Sequence, residues 1–278
     1  ATPSRGGVMR PASVLLVLTH LSLAMCVEGH VPVRGPASLP QLRPRPALRH
    51  SHALVASAAP DDASEAAAGR AEALVAVGAA LSSLLQGYNT GVIGGALLYI
   101  VPEFGLGAKP AVQGLIVTAT TIGSLFGTIS ASRFSDTLGR RGTMLVASVL
   151  FAIAGMLLSW APTAAVLIGA RFVAGLAIGN AGAVVPVYIA ECARKSSRGR
   201  LATIPQLFIS SGILTSYVVA LLVSLCAPAG GWRLMMAVTL VLACAQAACV
   251  LALPESPRWL LRKGRDEAAA AALARLRG

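Results

Sequence analysis

Between residues 74 and 253 apolar positions run in six long stretches, and each break between them is short and polar. The stretches cover 74–100, 112–132, 143–160, 164–190, 204–225 and 232–253. A helix needs about 20 mostly apolar residues to cross a bilayer, and each stretch reaches or approaches that length. Helices of a soluble bundle keep a polar face toward water; these stretches have almost none. The pattern predicts an all-α membrane protein, with a six-span bundle over 69–253 and a further helical segment over 254–278.

Composition agrees: 55% of the residues are hydrophobic and only 12% are charged, outside the range of a soluble domain. A net charge of +12 raises a nucleic-acid reading, but the distribution of the bases argues against it. They collect in the leader and in alternate breaks: Arg133, Arg140 and Arg141 after the second stretch, Arg194, Lys195, Arg198 and Arg200 after the fourth, Arg258, Arg262, Lys263 and Arg265 after the sixth. The other breaks hold little beyond Glu103, Lys109 and Arg233. Lys and Arg mark the inner side of a membrane, so both ends of the six-span block are expected to face inward.

Ahead of the spans, Met9-Arg10 precedes an apolar run at 14–25 with small residues after it, and cleavage is expected near Cys26 or Gly29. Residues 1–29 read as a signal-peptide-like leader with Met9 as its start. Residues 30–68 read as an unstructured, transit-like linker: 30–60 lack any acid, while Arg34, Arg43, Arg45 and Arg49 punctuate a stretch rich in Pro, Ala and Ser. Together the two resemble a bipartite plastid leader, which predicts a plastid envelope. A vacuolar or plasma membrane is the alternative, with a plain secretory signal or an uncleaved anchor in front.

Lipid tails give helices no hydrophobic reason to associate, so close backbone approach has to help. Gly87, Gly91 and Gly95, Gly123 and Gly127, and Gly175 and Gly179 lie four apart and offer flat grooves. They read as packing positions within the bundle. The spacing of Gly175, Gly179 and Gly182 does not fit a dinucleotide loop. The first stretch ends in Tyr99-Ile100 with Glu103 behind it, the fourth in Tyr188-Ile189 with Glu191 behind it. The charge rule puts these ends on opposite faces, which hints at two inverted three-span repeats.

Arg171 is the most informative polar residue, because a charge inside a span is costly and is expected to face a cavity or a partner. Snorkelling to the nearer interface is the plain alternative. Asn89, beside Thr90, and Gln206, after Pro205, interrupt apolar helices with amides, which both donate and accept bonds to hydroxyls. Helix-to-helix bonding explains them equally well. Three clusters on the inner face mix acid and base: Asp136 with Arg140 and Arg141, Glu191 with Arg198, and Glu255 with Arg258. Pairs that form in one conformation and break in another bias a two-state equilibrium; simple topology signalling would need only the bases. The five cysteines lack zinc-like spacing, and all four histidines precede the first span, so no metal, cofactor or catalytic centre is expected.

The stretches GYNTGVIGGALLYI, SDTLGRRGTM, RFVAGLAIGNAGAVVPVYIAE, SRGRLATIPQ and PESPRWLLRKGR, in this order, resemble the sugar porter family of the major facilitator superfamily. Within it the chain looks most like plant tonoplast monosaccharide transporters. The resemblance covers about 72–278 and none of the leader. It implies two six-helix halves that rock around a sugar bound between them. This chain resembles the first half plus the start of the central helical linker, so a second six-span half is the implied partner, along with the lipid bilayer and a hexose-type sugar. Gln206 matches a sugar-contacting glutamine; the second glutamine usual in that span is absent, with Ile213 in its region. Asn89, Thr90 and Arg171 complete the candidate substrate set. Asp136, Gly139, Arg140 and Arg141 match the family's loop motif, whose usual leading glycine is missing from Ala131-Ser132. Glu191, Arg198, Glu255 and Arg258 match its inner-face ion-pair residues.

Proton-coupled members carry an Asp where this chain has Asn89, and an amide does not titrate. The resemblance therefore implies facilitated diffusion of monosaccharides, with proton symport as the alternative. A transport-inactive sensor half and, less in keeping with the residues, a membrane enzyme are the readings from other classes.

Overall fold

The six apolar stretches fold as six long helices in a computed structural model that describes residues 62–226 and 230–277. The leader at 1–29 and most of the expected linker lie outside the described residues. In chain order the helices are α1 (Asp62–Glu103), α2 (Pro110–Thr137), α3 (Gly139–Trp160), α4 (Ala164–Cys192), α5 (Arg198–Ala202), α6 (Ile204–Cys226), α7 (Gly231–Ala252), α8 (Pro257–Arg262) and α9 (Asp266–Arg277). The end of the linker needs correction: helix begins at Asp62, so 62–68 are helical. The run of Ala around Glu65 is rich in strong helix formers and propagates the first span outward.

Local chemistry sets the other boundaries. Pro110 opens α2, where its missing N–H is no loss. The Thr163 hydroxyl accepts from the Val166 N–H to start α4, and Ser256 does the same for α8 from Trp259 with Pro257 at the first position. Asp266 and Glu267 begin α9 and Arg275 and Arg277 end it, each sign opposing the helix dipole.

Six segments are long and apolar enough to cross a membrane: α1 from Gly69, α2, α3, α4, α5 with α6, and α7. The protein is an integral, multi-pass membrane protein. Hydroxyls inside the spans bond back to carbonyls of their own helix, as Thr90 does to Gln86, Thr128 to Ser124 and Ser148 to Met144.

The helices pack in a row, α2 on α4, α4 on α1 and α1 on α6, with α3 and α7 behind. The second helix of each three-span unit thus crosses the first helix of the other unit. The glycines explain the exchange. A Cβ on Gly175 would strike the Thr120 carbonyl and one on Gly179 the Ser124 carbonyl, so α4 and α2 touch backbone to backbone. A Cβ on Gly87 would strike the Ile209 carbonyl and one on Gly212 the Leu84 carbonyl, so α1 and α6 do the same. Equivalent glycines in equivalent helices make equivalent contacts, which is what two inverted repeats require. The core follows the same plan. One cluster, with Tyr88, Val92, Ile100, Leu106 and Trp232, lies near the end of α1. Another, with Val75, Met144, Val184, Tyr188 and Val250, lies at the opposite, basic end, where Leu276 of α9 joins it. Leu125, Phe126 and Ile129 of α2 and Leu214, Leu221 and Leu225 of α6 stay exposed, apolar surface for lipid or a partner.

Candidate functional site

The loop between α2 and α3 turns within two residues, and Gly139 carries the turn with φ +85°. A side chain there would be strained and would strike the Glu255 carboxylate. Glu255 sits over the start of α3: its Oε1 accepts the backbone N–H of Arg140 at 2.9 Å, of Arg141 at 3.1 Å and of Ser256 at 2.9 Å. A carboxylate at a helix N-terminus satisfies orphan donors and opposes the positive end of the dipole.

Arg140, nearly sealed from solvent, grips Glu191 at the end of α4 through two parallel bonds, Nε to Oε2 and Nη2 to Oε1, both 2.9 Å. Its Nη1 donates to the Ser135 carbonyl at 2.8 Å and lies 3.7 Å from Asp136. Ser256 donates its hydroxyl to Glu191 as well. Arg141 turns the other way and donates to the carbonyls of Val250 and Leu251 at the end of α7, where a cation meets the negative end of the dipole. Tyr188 donates to the Pro254 carbonyl, Trp259 to that of Asp136, and Arg262 reaches the Asp136 carboxylate at 3.3 Å. The basic ends of α2, α3, α4 and α7 and the Trp259 and Arg262 side chains of α8 are thereby one polar network. A cavity of about 250 Å³ opens between α2 and α4 beside it, with Ser132, Ser135, Asp136 and Arg140 in its wall.

Acid and base pair across helix ends. Glu191 takes Arg140 and not Arg198, and Glu255 takes backbone N–H groups and not Arg258. Arg198 lies in the first position of α5 with its Nε buried and without a hydrogen bond; Arg258 is exposed and pairs with no acid among the described residues. Planarity decides the first case: the guanidinium fork of Arg140 meets both carboxylate oxygens at once.

Arg171 lies sealed inside the bundle. It is 2% exposed and donates Nη1 to the backbone carbonyl of Asn89 at 2.9 Å, with its Nε unpartnered. Asn89 is fully buried, its Nδ2 donates to Leu85 in the same helix, and its Oδ1 has no partner. The two side chains belong to one place, where α4 faces α1, but the bond between them is to backbone. Thr90 and Gln206 are exposed, Thr90 on α1 and Gln206 at the start of α6. Exposed and sealed candidates therefore sit side by side on α1, at Thr90 and Asn89.

Other polar ties escaped the sequence reading. Glu72, the sole buried acid among the described residues, meets Arg194 at 2.8 Å and accepts from Ser197 at 2.7 Å. At the far end Glu103 accepts from Trp232 Nε1 at 2.5 Å and from Arg233 Nη1 at 2.7 Å. Tyr88 donates to the Met235 carbonyl at 2.7 Å. These partners lie more than a hundred positions apart, and only the swapped packing of the repeats brings them together.

Six spans in two crossed triplets, locked at one end by a charged network, define the N-terminal six-helix half of a major facilitator fold. The family model described as "Sugar (and other) transporter" matches residues 75–278, and the chain belongs to that family. Monosaccharide-sensing protein 3 of Arabidopsis thaliana is 41% identical over 212 residues, which are 75% of this chain and 29% of the plant protein. The putative metabolite transport protein YwtG of Bacillus subtilis is 38% identical over 199 residues, 72% of this chain and 42% of the bacterial one. A structure of the proton:xylose symporter XylE bound to 6-bromo-6-deoxy-D-glucose superposes with a TM-score of 0.72 at 28% identity, over 76% of this chain and 50% of that one. The chain thus spans between 29% and 50% of these three relatives.

Proposed function

We propose that the chain is the first half of a monosaccharide carrier that works by alternating access, with a second six-span half closing the cavity. Family membership supports this reading, together with the polar residues on α1 and α6. Thr90 and Gln206 bond sugar hydroxyls directly, since both are exposed: the Gln206 amide donates and accepts, while the Thr90 hydroxyl, which donates to Gln86, accepts. Asn89 and Arg171 form the inner wall behind them. Arg140, Glu191, Glu255, Asp136, Gly139 and Arg141 hold the basic end as one unit, while Arg198 and Arg258 remain available to the second half or to the linker.

The carrier equilibrates sugar and does not couple it to protons. The observation that carries this is Asn89: the side chain beside Arg171 is an amide, and the sole buried acid among the described residues is Glu72, already engaged by Arg194 and Ser197. Proton symport is the second reading, favoured by the likeness to a proton:xylose symporter. The names of the plant relatives keep a sensing role in view. The plastid envelope is the proposed membrane, on the composition of the leader. Sugar flux into proteoliposomes decides the mode: a rate that ignores an imposed pH gradient supports uniport, and sugar driven uphill by that gradient overturns it. Asn89→Asp is expected to give the flux a pH dependence that the parent lacks.

A further inference from the structure

The two acids that close the leading helices of the repeats, Glu103 of α1 and Glu191 of α4, occupy equivalent positions at opposite ends of the bundle. Each reaches the start of the third helix of the other triplet. Glu191 takes Arg140 at the start of α3, with Ser256 as a second donor. Glu103 takes Trp232 and Arg233 at the start of α7, one donor on each oxygen. Arg233 also lies over the Trp232 ring, 4.3 Å from its centroid, and Phe104 meets the ring edge-on. Trp232 is fully buried, so the clasp has a rigid wall behind it. A few residues along α7, the Met235 carbonyl takes the Tyr88 hydroxyl, and Tyr88 adjoins Asn89.

We propose that Glu103, Trp232 and Arg233 are positioning residues: they form a far-end clasp, the symmetry mate of the Glu191–Arg140 pair, that fixes α1 against α7 and so sets the placement of Asn89 and Thr90. The two clasps differ in setting. The Arg140 and Glu191 side chains are 7% and 14% exposed, those of Arg233 and Glu103 are 38% and 35%. Water and salt reach the far-end pair and screen it. The far-end clasp is therefore the weaker of the two.

The proposal is tested in the full-length chain. Glu103→Gln and Arg233→Gln are each expected to lower the thermal midpoint in detergent by about 2–4 °C, and the double variant by little more than either. Introduced into a Thr90→Cys background with the native cysteines replaced by Ser, either variant is expected to change the thiol-labelling rate at that position several-fold, and the swapped pair Glu103→Arg with Arg233→Glu to restore it. Trp232→Phe keeps the ring and removes the donor, and should shift the rate partway. Additive midpoints overturn the clasp. Lower midpoints with an unchanged labelling rate overturn the positioning role. The inference rests on the carrier reading only for its meaning in transport: absent sugar flux with intact coupling would sink that reading and leave the clasp standing.

Discussion

Arg140 and Arg171 are both buried arginines of one six-helix bundle, and they live under opposite conditions. Arg140 has a carboxylate across both faces of its fork, a carbonyl on a third N–H group and a second acid nearby. Arg171 has one carbonyl and an orphaned Nε. Removing a buried charge from water costs several kcal/mol, and only close partners return it. The basic end is therefore a finished structure, whereas the middle keeps an unbalanced charge that fold stability alone does not call for. Residues kept at a cost to stability are expected where a protein acts.

Breaking that contrast begins with Glu191→Ala. It strands Arg140 without its acid, and a loss of about 3–5 kcal/mol is expected, enough to cut the yield of folded protein extracted in mild detergent. Glu255→Ala frees two backbone N–H groups at the start of α3 and that of Ser256, and should lower the thermal midpoint by an amount equivalent to about 1–2 kcal/mol. Arg171→Met sharpens the comparison by its sign. A well-packed apolar chain replaces a poorly compensated charge, so the midpoint should stay or rise while sugar flux falls; a large drop in the midpoint would remove the distinction between the two arginines. Arg262→Gln comes last. Its pair with Asp136 is 61% and 68% exposed, and the expected change is below about 1 kcal/mol, visible only at low salt.

Much of this was legible in the sequence. Length and hydropathy marked all six spans, because a bilayer imposes both on any helix that crosses it. The glycine spacing pointed to close packing, and the paired Glu103 and Glu191 pointed to the repeat. Spacing along the chain did not name the partners. Glu191 and Arg198 lie near each other in sequence, yet α4 ends between them and the chain turns into α5, so the nearer base in space is Arg140. Glu255 stands close to Arg258, but the turn into α8 points the acid at α3 and the base at solvent. Burial of Asn89 was equally hidden: neighbours on one helix point to different faces, and only the contacts of α1 with α4, α6 and α7 tell which face is closed.

The crossing of α2 over α4 and of α6 over α1 carries a consequence for biosynthesis. A ribosome delivers α1, α2 and α3 first, and two of these have their main glycine contacts on helices not yet made. The glycine face of α2 must wait in the membrane until α4 is made and that of α1 until α6 is made, so the groove of α1 is the last to close.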